Sequence, residues 1–161
     1  MEDLKIYPVD SSNWRQVVSL KMDESQESFI ESNEISLLES IYDTENQWTC
    51  YGLFFKDEAV GFMMIGAENK EEQYIWLDRF MIDRAYQGKG LGSAFIPVVK
   101  NFIFNHYDVN EIVLSVTKDN LHGKAFYEKH GFKNTGLIDP EFDEEIFTYE
   151  KKGEGYLNRS R

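Results

Sequence analysis

Apolar and polar residues alternate from Leu4 to Val9, with Leu4, Ile6 and Pro8 set against Lys5, Tyr7 and Val9, and this predicts an opening strand. Ser11-Ser12-Asn13 offers N-cap chemistry for a helix to about Met22, with Trp14, Val17, Val18 and Leu20 as its apolar side. A second helix is predicted from Ile35 to Tyr42, carrying Leu37, Leu38 and Ile41. From Thr49 the period returns to two. Cys50 to Phe55, a turn at Lys56-Asp57-Glu58 and Ala59 to Ile65 form a predicted hairpin, followed by a strand from Tyr74 to Asp83. A glycine-dense turn, Gly88 to Gly92, leads into a helix from Ser93 to His106 with Phe95, Val98, Val99, Phe102 and Ile103 inward. A short buried strand (Glu111 to Thr117), a helix from Leu121 to His130 stopped at Gly131, and strands near Phe132 to Leu137 and Glu145 to Lys151 complete the order. The pattern predicts one α/β or α+β domain over residues 1–152, with helices on a mixed sheet, and a polar C-terminal tail at residues 153–161. The strand–helix–strand unit from Tyr74 through Val116 is expected to be a right-handed crossover.

Composition narrows the chemistry. The chain has 161 residues, 17 basic and 29 acidic, for a net charge of −12. That balance argues against nucleic acid or an anionic membrane as a partner, because phosphate binding needs clustered Lys and Arg. It favours cations. Between Asp23 and Phe55 the chain holds eight acidic and no basic residues. The lone Cys50 excludes an internal disulfide and a multi-cysteine zinc site. Met1-Glu2-Asp3-Leu4-Lys5 has neither the basic nor the apolar region of a signal peptide, and no run of ~18 apolar residues occurs. The expectation is a soluble cytoplasmic protein without a metal.

Gln87-Gly88-Lys89-Gly90-Leu91-Gly92-Ser93 follows a strand and opens a helix. Such a turn aims several backbone N–H groups and the positive helix end at one anion. It is not a Rossmann turn, since Ser93 stands where a third glycine belongs, and no Gly-Lys-Ser/Thr closes a Walker loop. A plain strand-to-helix turn is the alternative. Ser93 and Ser115 lie in no nucleophile elbow, and His106, His122 and His130 have no ligand spacing. Cys50, mid-strand with no adjacent His, reads as core.

The glycine turn resembles the acetyl-CoA pyrophosphate motif of the GNAT superfamily of N-acetyltransferases. Asn120, with Tyr127 seven residues later and Glu128-Lys129-His130-Gly131-Phe132 after it, resembles that family's second motif. Trp76 to Asp83 running into Tyr86 to Gly92, with Phe29-Ile30-Glu31-Ser32 and Val60-Gly61-Phe62, is similar to the spermine/spermidine acetyltransferases of bacilli. The resemblance implies a mostly antiparallel mixed sheet flanked by about four helices, with a strand pair splayed at the cofactor cleft. It implies acetyl-CoA bound by Gln87, Gly88, Lys89, Gly90, Leu91, Gly92 and Ser93, by the backbone of Phe80, Met81 and Ile82, and by Asn120 and Tyr127.

The resemblance puts Tyr127 at the position of a general acid for the departing thiolate; the bland alternative is a core aromatic. Asn120 would bond the cofactor arm or cap the helix at Leu121. Asp78, read on one side of its strand with Trp76 and Phe80, is a candidate for handling the acceptor's ammonium through water; the alternative is an ion pair with Arg79 or Arg84. Glu27 and Glu31, with Glu24 at helical spacing, would wall the acceptor site, unless the run is only a solvated face. The function expected is acetyl transfer from acetyl-CoA to a primary amine, a linear polyamine foremost, by direct attack in a ternary complex. A protein or peptide acceptor, an aminoglycoside, and a non-catalytic CoA-binding module are the rivals. A homodimer through the edge strands after Phe132 is one possible assembly.

Overall fold

The computed structural model describes residues 3–152; the expected polar tail at 153–161 lies outside the described residues, as do Met1 and Glu2. The elements run β1 (Leu4–Pro8), α1 (Trp14–Val18), α2 (Asn33–Tyr42), β2 (Thr49–Phe55), β3 (Glu58–Asn69), β4 (Tyr74–Ile82), α3 (Leu91–His106), β5 (Glu111–Thr117), α4 (Leu121–Lys129), β6 (Lys133–Ile138) and β7 (Glu144–Glu150). Single 3-10 turns stand at Glu24–Gln26 and Arg84–Tyr86. The seven strands form one sheet in the order β1-β2-β3-β4-β5-β7-β6, antiparallel except at β4–β5.

Alternation along β3 divides the interior into two clusters. Met63 and Ile65 face the side that holds Phe95, Val99 and Ile103 of α3 together with Phe132 and Phe147. Phe62 and Met64 face the other side, with Val17, Leu20, Cys50 and Met81. Each fully buried large side chain contributes about 1.5–3 kcal/mol relative to exposure. Burial also pushes the Cys50 thiol up to about 11, so it is an inert core residue, as expected. The β2–β3 hairpin turns on Lys56 and Asp57, both with positive φ (50° and 67°), the pair of values that matches strand twist in a two-residue turn.

The register between β4 and β5 builds the cleft. Only Tyr74, Ile75 and Trp76 pair with Glu111, Ile112 and Val113. Beyond them β4 continues to Ile82 against β3 alone, and β5 continues to Thr117 against β7 alone. The expected splayed strand pair is therefore present.

Several element limits differ from expectation. α1 ends at Val18 rather than near Met22, because the Ser19 hydroxyl donates to the Gln16 carbonyl at 2.6 Å and the chain then docks on β4's end. There the Lys21 N–H donates to Asp83 Oδ1 and the Arg84 N–H to the Lys21 carbonyl, both at 2.7 Å. Asn13 does not cap α1: its side chain accepts from the Asp10 N–H at 2.9 Å and donates to the Pro8 carbonyl at 3.0 Å. α2 begins at Asn33, capped by Ser32, and turns Asn33 and Ser36 inward while Leu38 and Ile41 are 50% and 62% exposed. The inward polar pair is satisfied, Asn33 donating to the Val17 carbonyl at 3.0 Å and Ser36 to the Ser32 carbonyl at 2.9 Å. α3 starts at Leu91, ahead of the expected Ser93, with Val98 and Phe102 only partly buried. Glu24, Glu27 and Glu31 do not share a helix, because Asp23 caps a lone 3-10 turn and residues 27–31 are irregular.

Candidate active site

A cleft of about 890 Å³ opens where β4 and β5 part. Its lining includes the strand segment Phe80, Met81 and Ile82 and the turn residues Gln87, Gly88, Gly90, Leu91, Gly92 and Ser93. It also includes Asn120, Tyr127, Asp78, Glu27 and Glu31. Of the expected site residues only Lys89 stands outside it, exposed, with its ammonium 5.7 Å from the Tyr86 ring centre.

The cofactor end is built from the glycine turn. Gly88 and Gly90 have φ of +77° and +79°, and nothing lies within 4 Å of where a Cβ would stand at either. Gly90 is also the N-cap of the 16-residue α3. Among the described residues, no backbone acceptor takes the N–H groups from Gly88 through Ser93. A run of free N–H groups at a helix start, with no side chain above it, suits a pyrophosphate. Gln87 braces the turn: its amide donates to the Ile82 carbonyl at 2.9 Å and to Gln26 Oε1 at 3.1 Å. Ser93 Oγ meets His130 Nε2 at 3.1 Å. Beyond the turn, β4 past Trp76 lacks a strand partner on its β5 side, leaving the open edge that a pantetheine arm requires.

α4 supplies the other wall. Asn120 caps this helix, its Oδ1 accepting from the Gly123 N–H at 2.9 Å, while its amide nitrogen has no partner among the described residues. The capping role expected of Asn120 is thus formed, and its amide nitrogen is left free beside the cleft. Tyr127 packs edge-on to Phe126 and Phe132, with ring centres 5.3 and 5.5 Å apart. Its hydroxyl has no hydrogen-bond partner among the described residues, and burial pushes the phenol well above its ordinary value.

Asp78 departs from the simple strand reading. β3 pairs Met64 with Arg79 and Ile65 with Leu77, so Asp78 is the extra residue of a bulge and does not alternate with Trp76 and Phe80. Its carboxylate forms an ion pair with Arg79, and Arg79 also bonds Glu39 of α2 at 3.1 Å. Arg84 takes no part in this bridge.

The cleft has acidic walls beyond Glu27 and Glu31, one from the acidic run between Asp23 and Phe55 and one, near residue 140, that the sequence reading did not single out. Glu39 and Asp43 line it from α2 and its end, Asp139 and Glu141 from the β6–β7 turn, and Glu144 from the start of β7. Two tryptophans, Trp48 and Trp76, join them. The signal was available: residues 139–145 hold five carboxylates and no cation. Among the described residues, Arg79 is the one Arg or Lys in the lining. No group of three or more His, Cys, Asp and Glu suited to a metal occurs among the described residues, and no helix there is long and apolar enough to cross a membrane.

Comparison with known proteins gives this geometry its family. The sequence model of the acetyltransferase (GNAT) family matches residues 14–132. The spermine/spermidine N(1)-acetyltransferase of Bacillus subtilis is 31% identical over 146 residues, covering 84% of this chain and 91% of the relative. Among solved structures, spermidine N-acetyltransferase from Vibrio cholerae with CoA and spermine superposes with a TM-score of 0.71 at 18% identity, covering 92% of this chain and 94% of that one. The PaiA N-acetyltransferase from Thermoplasma acidophilum with coenzyme A gives 0.66 at 16% identity, covering 92% and 99%. With a splayed sheet, a free glycine turn and a family match over most of its length, the chain belongs to the acetyltransferase (GNAT) family and is an acetyl-CoA-dependent N-acetyltransferase.

Proposed function

We propose that this enzyme acetylates a linear polyamine such as spermidine or spermine, by direct attack of one amine on acetyl-CoA. The observation that carries the reading is the acidic lining of the cleft, to which several segments contribute carboxylates: Glu27 and Glu31 before α2, Glu39 on α2 and Asp43 just after it, Glu141 in the β6–β7 turn and Glu144 at the start of β7. A polyamine carries several ammonium groups along a flexible chain. Only an acceptor with distributed positive charge makes use of carboxylates spread along a groove. Trp48 and Trp76 add apolar and cation–π contact for the methylene segments and the ammonium heads. The named activity of the bacillar relatives supports the same acceptor class.

In this reading the N–H groups from Gly88 to Ser93 hold the pyrophosphate, and the open edge at Phe80, Met81 and Ile82 pairs with the pantetheine amides. The acceptor's ammonium, ordinarily near ~10, must lose its proton before attack. Asp78 and a water relay would take it, leaving the amine lone pair to form the C–N bond as the C–S bond breaks. The departing sulfur, ordinarily near ~8.5, faces Tyr127. Because burial raises the phenol, Tyr127 stays protonated at working pH, and its first contribution is a hydrogen bond to the developing thiolate. Acetylation removes one positive charge, so the product binds the acidic groove less well and leaves.

A cytoplasmic reaction suits acetyl-CoA as the donor. The exposed edge strand β6 is where a second copy would pair, and light scattering after size exclusion reads that directly. Mass spectrometry of the reaction with acetyl-CoA and spermidine tests the acceptor. A singly acetylated spermidine is expected, and its absence while another amine is acetylated would sink the polyamine reading.

A further inference from the structure

The bulge in β4 places Asp78 and Arg79 side by side at the parting of the strands, where strict alternation would have sent them to opposite faces. Arg79 is 14% exposed and bridges two carboxylates on different elements, Asp78 Oδ2 on β4 and Glu39 Oε1 on α2. The second oxygen of each carboxylate has no partner among the described residues, and both residues line the cleft. Arg79 Nε is buried without a hydrogen-bond partner among the described residues. A bridge kept only for stability gains nothing by leaving that donor orphaned, and such unpaired groups gather where geometry is held for function.

We propose that Arg79 is a positioning residue for the acceptor. Its planar fork holds one oxygen of Asp78 and one of Glu39, so that their free oxygens form two cation subsites at a fixed spacing. This inference rests on the polyamine reading: the reacting amine faces Asp78, and the next ammonium of the same chain faces Glu39. A guanidinium fits the task because its donors lie in one rigid plane, whereas a lysine ammonium is a single point. The bridge also ties α2, which carries Glu39, to the strand edge along which the thioester lies.

Charge alone predicts the opposite sign from positioning. Removing Arg79 makes the groove more negative, so a residue that merely neutralised the carboxylates would, once removed, let spermidine bind better. A positioning residue, once removed, lets both carboxylates swing and weakens spermidine despite the added negative charge.

Steady-state kinetics of Arg79→Gln and Arg79→Lys, each with spermidine and with propylamine, separate the two. The expected result for Arg79→Gln is a fall of about tenfold or more in kcat/KM for spermidine, chiefly through KM, with a smaller fall for propylamine and an acetyl-CoA KM within about twofold of wild type. Arg79→Lys should recover part of the loss. Should Arg79→Gln fail to fold, Glu39→Gln at the more exposed end of the bridge should lower the same spermidine-to-propylamine ratio. An unchanged ratio, or a spermidine KM that falls, overturns the positioning role while the polyamine reading stands. A wild-type enzyme that does not prefer spermidine to propylamine overturns both.

Discussion

Trp76 on β4 lies opposite Val113 on β5, and beyond this pair the two strands share no further partners. The cleft begins there. Two features stand at that early end to pairing: an open β4 edge through Ile82 and a glycine turn that lines the same opening. At the near end of the cleft stand Asp78 and Arg79, displaced by the adjacent bulge.

The glycine turn gives the first prediction. Gly90→Asp should abolish stabilisation by acetyl-CoA in a thermal-shift experiment, because its carboxylate would point at the pyrophosphate. Gly90→Ala adds only a methyl group into open space, but at φ +79°, so it should cost about 1 kcal/mol of stability and keep a reduced shift. A full shift with Gly90→Asp would remove the turn from the cofactor site.

Tyr127→Phe keeps the ring contacts to Phe126 and Phe132 and removes a hydroxyl without a partner among the described residues. Stability should change by less than about 1 kcal/mol, while kcat falls by about 10²-fold or more, as for loss of a donor to developing charge. Denaturant unfolding and turnover on the same preparation check both parts. Wild-type turnover would demote Tyr127 to scaffold.

Ionic strength should act on one substrate only. Raising salt from about 0.01 M to about 0.1 M shortens the Debye length from about 30 Å to about 10 Å. The KM for spermidine should then rise, while that for acetyl-CoA at the backbone-lined turn changes little. Glu31→Gln, which removes one exposed carboxylate from the lining, should raise the spermidine KM in the same direction.

His130 supplies a pH signature. Burial, then Lys100 and Lys129, lower its pKa below the ordinary value near ~6.5. The unfolded chain therefore takes up a proton at higher pH than the folded one. Folding stability should fall as pH drops below about 6.5, and His130→Gln should remove that part of the slope. Chemical denaturation at paired pH values measures it, and an unaltered slope in the variant contradicts the assignment.

Much of this architecture is legible in the chain. The change of period at Thr49 marks the hairpin, Gln87 to Ser93 run into α3, and Asn120 to Tyr127 cap and form α4, as the pattern predicted. What local pattern could not carry was set by distant partners. α1 ends early because Lys21 bonds Asp83, far along the chain. The bulge at Asp78 exists only in register with Met64 and Ile65, so the reading that put Asp78 in line with Trp76 and Phe80 had no local sign against it. α2 turns Leu38 outward because Asn33 finds the Val17 carbonyl. The acidic wall from Asp139 to Glu144 is a different case, since its one-signed charge was visible and only its place beside the cleft was not.

The central claim is that the acidic groove selects a polyamine. Thiol release from acetyl-CoA at low salt, measured with spermine, spermidine, propylamine and a lysine peptide, tests it most directly. The account predicts the highest kcat/KM for spermidine or spermine, with that advantage shrinking as salt is raised. A monoamine or peptide preferred over spermidine at low salt would contradict it.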